Sequence, residues 1–169
     1  MNTLDLTQVF ASIELIIFDV DGVLTDGSIN IHDDGSETKR FNVRDGYGFS
    51  QARRSDLKIG IITGRVGQAL KHRLDSLKVD EQLVIQGSKD KSESLDRLIS
   101  HTGINASNIA YVGDDCPDLA AITRVGFSMC PADAEQAVIA ACDHVLTRNG
   151  GQGAAREAID LILSARSST

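Results

Sequence analysis

Along the chain, short apolar runs alternate with longer stretches of helical periodicity. The runs cover residues 13–18, 59–62, 83–85, 109–112, 126–129 and 145–146, and each is short enough to be a strand. Between them, residues 66–77, 92–101, 118–124 and 134–141 read as helices. An amphipathic lead (Leu4, Leu6, Val9, Phe10) precedes the first run, and the Asn149-Gly150-Gly151-Gln152-Gly153 turn introduces a last helix over residues 154–164. Strand-then-helix alternation predicts an α/β fold, a Rossmann-like parallel sheet with helices on both faces. Residues 28–41 break the rule: Ile29 and Ile31 alternate with polar positions, Asp33-Asp34-Gly35 signals a turn, and residues 37–41 can run back antiparallel. A β-hairpin is expected after strand one. No repeat, Pro-rich linker or low-complexity block intervenes, so residues 1–169 are expected to form a single domain.

A chain of 169 residues, 41% of them hydrophobic, suffices for one ordinary core. The net charge of −7, with Lys and Arg scattered, argues against a nucleic-acid surface. Three cysteines, Cys116, Cys130 and Cys142, fit no CxxC motif or secreted framework and point to reduced thiols in the cytoplasm. No signal peptide is expected, and no apolar run approaches the roughly 18 residues that span a bilayer. His32, His72, His101 and His144 are dispersed and lack metal-ligand spacing.

Ligands of open α/β sheets gather beyond the carboxyl ends of the strands. Asp19-Val20-Asp21 follows the first run, Thr63-Gly64-Arg65 the second, a segment reaching Lys91 the third, and Gly113-Asp114-Asp115 the fourth. Carboxylates gathered on one rim disfavour joint ionisation unless a cation sits among them. Magnesium, which takes one or two carboxylates and keeps several waters, suits so sparse a set. With phosphate neutralised by the metal and Lys91 and bonded by Thr63, Asp19 can attack phosphorus in line, while Asp21 serves first as acid and then as base. Each residue has a plainer reading: Thr63 as a helix N-cap, Lys91 as a surface lysine, Asp26 as a turn residue.

Asp19-Val20-Asp21-Gly22, Ile62-Thr63-Gly64-Arg65, Lys91 and Gly113-Asp114-Asp115-Cys116-Pro117-Asp118 together resemble the four motifs of the haloacid dehalogenase superfamily. That resemblance implies Asp19 as nucleophile and metal ligand, Asp21 as acid/base with its main-chain carbonyl on the metal, Thr63 and Lys91 as phosphate ligands, Asp114 as a metal ligand and Asp118 as an orienting acid. There is no room for a cap domain. Further stretches, Phe41-Asn42-Val43-Arg44-Asp45-Gly46-Tyr47-Gly48 and Gly150-Gly151-Gln152-Gly153-Ala154-Ala155-Arg156-Glu157, are similar to the 3-deoxy-D-manno-octulosonate 8-phosphate phosphatase family of lipopolysaccharide sugar synthesis. The resemblance implies a magnesium-dependent homotetramer joined through hairpins, its sites completed by neighbouring subunits. The substrate is then a sugar-acid phosphate held by Asp21, Asn42, Val43, Arg44, Asp45, Gly46, Arg65, Arg73 and Lys91. Guanidinium forks suit its carboxylate and phosphate, although Arg65 and Arg73, eight apart on one predicted helix, also read as a solvated face. Residues 150–153 read as a loop or subunit contact rather than a phosphate cradle. One departure is that the chain ends at Thr169, soon after the last helix, whereas some members continue into a tail over the adjacent site. Two other readings stay open: a 2-keto-3-deoxy-nonulosonate 9-phosphate phosphatase, and a non-catalytic tetramerisation domain.

Overall fold

Six strands form one all-parallel sheet in the order β5-β4-β1-β6-β7-β8, where β1 is Leu15–Phe18, β4 Lys58–Thr63, β5 Val84–Gln86, β6 Ile109–Val112, β7 Phe127–Cys130 and β8 His144–Val145. β2 (Asn30–Ile31) and β3 (Glu37–Thr38) pair separately as an antiparallel hairpin. The computed structural model describes residues 3–166; the Leu4 side chain and the chain end at Thr169 lie outside the described residues. The helices are α1 (Thr3–Ser12), α2 (Val43–Arg54), α3 (Gln68–Leu77), α4 (Lys91–Thr102), α5 (Leu119–Ile122), α6 (Gln136–Ala141) and α7 (Ala154–Arg166).

The central strand explains why the runs carry no polar alternation: all four β1 residues are buried. Ile16 and Phe18 point into a core with Phe10, Phe49, Leu70, Leu74 and the apolar stripe of α7. Leu15 and Ile17 point the other way, against Leu95 and Leu98 of α4, Ile122 and Val138. Helices thus cover both faces, as parallel pairing requires. Each fully buried aliphatic side chain contributes about 1.5–3 kcal/mol.

Strand order reverses at β1, flanked by β4 on one side and β6 on the other. That is the switch point where an open α/β sheet leaves a crevice. Among the described residues, only the hairpin and α2 lie between β1 and β4, and no cap domain is inserted.

Three expectations need correction. The returning hairpin strand stops at Thr38, because Lys39 and Arg40 leave the ladder to pair with Asp21 and Asp26. The helix expected from residue 66 begins at Gln68, since Gly67 is its extended N-cap residue. Arg65 therefore lies in a loop and shares no helix face with Arg73. The helix expected over residues 118–124 is a 3-10 turn, Cys116–Asp118, followed by the short α5, because the chain first wraps around the Asp118 carboxylate.

Candidate active site

β1 delivers Asp19 to the crevice, its main-chain N–H bonded to the Val112 carbonyl of β6 at 3.0 Å. Asp19, Asp21, Thr63, Arg65, Lys91, Asp114 and Asp118 line one cleft of about 640 Å3, together with Ser88 and Lys89. Gly22, at φ +91°, makes this possible: a Cβ there would sit 1.9 Å from Asp114 Oδ2. The turn after β1 can approach the β6 loop only without a side chain.

Lys91 occupies the first turn of α4, where the helix dipole disfavours a cation. Its ammonium meets Asp118 Oδ1 at 2.6 Å and Asp19 Oδ2 at 3.1 Å. Burial pulls the Lys91 pKa down, and the two carboxylates together outweigh it, leaving the pKa raised. Asp118, fully buried, also accepts the Tyr111 hydroxyl at 2.6 Å on Oδ1 and the N–H groups of Asp114 and Asp115 at 3.3 Å on Oδ2. One carboxylate thus holds the lysine and the Asp114 loop in fixed relation.

Asp19, Asp114 and Asp118 each place a carboxylate oxygen within 4.8 Å of the others. Asp118 is committed to four donors, but Asp19 Oδ1 and Asp114 Oδ1 are buried without partners. Orphaned anionic oxygens are costly in a protein interior, and a hard divalent cation supplies what they lack. The donor set fits magnesium.

The electrostatics agree. Burial first, then Asp19 and Asp118, push the Asp114 carboxyl up to about 8. Burial also pushes Asp19 up to about 6, with Lys91 pulling the other way. Without a divalent ion the native state keeps a proton on Asp114 that the unfolded chain releases near pH 4. Its contribution is therefore present at low pH and lost as pH rises towards about 8. In EDTA, the melting temperature of the wild type relative to Asp114→Asn is expected to fall across that window, and stabilisation by Mg2+ to be larger at pH 8 than at pH 6. A flat difference in EDTA would count against the assignment.

Within one chain, the remaining expected substrate residues do not line this cleft. Asn42 caps α2 through Arg44 N–H at 2.9 Å and donates to the Gly151 carbonyl at 3.0 Å. Asp45 is buried and accepts the Arg156 N–H at 2.9 Å; burial raises its pKa. Gly46 leaves space for Arg73, which donates to the Asn42 carbonyl at 3.0 Å. Val43 and Arg44 are exposed on the first turn of α2. The two family-like stretches therefore interlock with each other. Residues 150–153 brace the turn after β1: a Cβ on Gly150 would lie 1.9 Å from the Gly22 carbonyl oxygen, and Gly151 N–H donates to the Val23 carbonyl.

Two hairpin side chains had no signal in the sequence. Glu37 pairs with Arg65 at 2.5 Å, and Lys39 pairs with Asp21. Charged residues on an edge hairpin ordinarily read as solvated. Tyr111 was also missed, because a phenol inside an apolar run reads as packing.

A parallel sheet whose central strand presents Asp19 to a hydroxyl, an ammonium and a second acidic loop defines the haloacid dehalogenase-like hydrolases, and residues 82–157 match that family. The chain is 42% identical over 155 residues to the 3-deoxy-D-manno-octulosonate 8-phosphate phosphatase of Escherichia coli strain K12, covering 92% of this chain and 81% of that protein. It belongs to the 3-deoxy-D-manno-octulosonate 8-phosphate phosphatase family. The crystal structure of the Yersinia pestis phosphatase superposes with a TM-score of 0.93 at 39% identity, covering 96% of this chain and 87% of the other. The Moraxella catarrhalis phosphatase, in complex with magnesium ion, phosphate ion and KDO, gives 0.94 at 37% identity, covering 99% and 95%.

Proposed function

We propose that this single-domain chain is a Mg2+-dependent phosphatase that hydrolyses 3-deoxy-D-manno-octulosonate 8-phosphate to the free sugar acid and phosphate, a step in lipopolysaccharide biosynthesis. The observation that carries the chemistry is a buried Asp19 beside the Lys91 ammonium, facing unpartnered oxygens of Asp21 and Asp114 across one cleft. Family membership supports the substrate.

Asp19 attacks phosphorus, the ester P–O bond breaks, and Asp21 gives its proton to the departing sugar alkoxide. Asp21 then takes a proton from water, which attacks the aspartyl phosphate and returns Asp19 as carboxylate with free phosphate. Lys91 and Thr63 balance and bond the transferring group. Asp19, Asp114 and the Asp21 main-chain carbonyl would hold a magnesium ion, which would supply positive charge at the phosphoryl group. Arg65 recognises the sugar acid, which has to draw it from Glu37.

Purified protein is expected to release phosphate from this ester with Mg2+ and to stop when EDTA is added. Release only from 2-keto-3-deoxy-nonulosonate 9-phosphate would transfer the assignment to that substrate. No release from any sugar phosphate would favour a purely associating domain.

Solvent-exposed apolar residues support a homotetramer. Ile31 is 68% exposed, Val43 82% and Val66 75%, and with Ile29 and Tyr47 they lie on the hairpin, on α2 and in the loop between β4 and α3. Large apolar side chains left in water favour association with another chain. In that assembly, Asn42, Val43, Arg44, Asp45, Gly46 and Arg73 serve the substrate by shaping and presenting the start of α2. Sedimentation is expected to give a tetramer that Ile31→Glu dissociates; a monomeric wild type would end this reading. Among the described residues, no helix is long and apolar enough to cross a membrane. The spacing of Cys116, Cys130 and Cys142, which fits neither a CxxC motif nor a secreted disulfide framework, supports a cytoplasmic enzyme.

A further inference from the structure

The hairpin is solvent-exposed from Gly27 to Arg40 at every residue except Lys39. There the chain turns inward: the Lys39 side chain is only 9% exposed and its ammonium pairs with Asp21 Oδ1. Two other cations that line the same cleft are engaged elsewhere. Lys91 is shared between Asp19 and Asp118, and Arg65 is held by Glu37. Asp21 Oδ2, the opposite oxygen, is buried without a partner.

A carboxylate with one oxygen anchored and the other free has a defined orientation, whereas an unanchored one in a roomy cleft samples several rotamers. Orientation of the donor is a large part of what proton transfer requires. We infer that Lys39 is a positioning residue: it anchors Asp21 through Oδ1 so that Oδ2 faces the leaving oxygen, making the hairpin part of the chemical machinery. The inference rests on the acid/base role of Asp21 proposed above. Lys39 needs no contact with substrate to act.

The test compares kcat/KM for two esters, because that ratio reports the step in which the leaving group departs. 3-Deoxy-D-manno-octulosonate 8-phosphate expels an alkoxide that needs a proton, while p-nitrophenyl phosphate expels a stable phenolate that does not. Lys39→Met is expected to lose about 10²-fold on the sugar ester, the lower end of what general acid catalysis contributes, and to change little on the aryl ester. Retained aryl-ester turnover also shows that the variant is folded. Arg40→Met, which removes the neighbouring hairpin cation that pairs with Asp26, is expected to leave both rates as in the wild type. Equal losses on both esters in Lys39→Met, or no loss on either, would overturn the inference. A wild type that cleaves the aryl ester but not the sugar ester would instead refute the substrate proposed above, and the comparison would then run on whichever alkyl phosphate the enzyme accepts.

Discussion

Asp19→Asn is expected to leave the protein folded and to lower phosphate release by at least about 10⁴-fold, the scale seen when a covalent nucleophile is removed. The amide is isosteric, so Val20 and the β1 pairing are undisturbed, and its carbonyl oxygen still accepts from Lys91. What disappears is the anion proposed to attack phosphorus. Burial holds the Asp19 carboxyl up at about 6, so its charge is unwelcome in the metal-free protein. Asn removes that charge, and the variant is expected to melt a few degrees higher in EDTA while being inactive, since about 1 kcal/mol moves a domain of this size by 2–4 °C. Stability and activity then move in opposite directions at one residue, as happens where a site is strained for function. The measurements are a phosphate assay and paired thermal melts. Activity near that of the wild type would eliminate the aspartyl-phosphate mechanism.

Asp118→Ala is expected to be the most destabilising polar substitution in the site. The carboxylate is fully buried and accepts from Lys91, Tyr111 and the N–H groups of Asp114 and Asp115. Deleting it strands a buried phenol and removes the nearer of the two partners of Lys91. Breaking a buried ion pair by removing one member costs about 3–5 kcal/mol, a loss of about 10 °C or more in melting temperature. Gly113 shows how closely the loop is wrapped: a Cβ there would lie 2.4 Å from Asp118 Cγ. With the carboxylate gone, the Asp114 loop loses its template, and affinity for Mg2+ is expected to fall with stability. Asp118→Asn keeps an acceptor for one side only and turns a donor towards the other donors, so it should be intermediate. Thermal melts and Mg2+ titrations of the two variants check this; an Ala variant that melts like the wild type and keeps full activity would show that the network is ornamental.

Strands were legible because parallel strands buried on both faces must be continuous apolar runs, and residues 109–112 coincide with β6 to the residue. The chemistry at the strand ends was legible for a related reason. Chain order puts an Asp, a Thr and a second acidic loop directly after the first, second and fourth runs, and parallel strands all end on the same side. Arg73 and Asp45 were another matter. A guanidinium and a carboxylate in a polar stretch look available for a ligand, yet here one holds the Asn42 carbonyl and the other the start of α7. Nothing local distinguishes these fates, because the partner of Asp45 lies 111 residues away.

The pairing of Lys39 with Asp21 has the same origin. Periodicity, turn residues and strand-end carboxylates are local or act through the one-dimensional order of a parallel sheet, so fold class and the kind of reaction follow from the chain alone. Which charges meet depends on long-range packing: the hairpin folding back over the cleft, and residues 150–153 pressing glycine backbone against the turn after β1. Only the folded chain could decide whether a charged side chain faces solvent, a neighbouring loop or the reacting centre, since those alternatives differ in spatial neighbours and not in sequence neighbours.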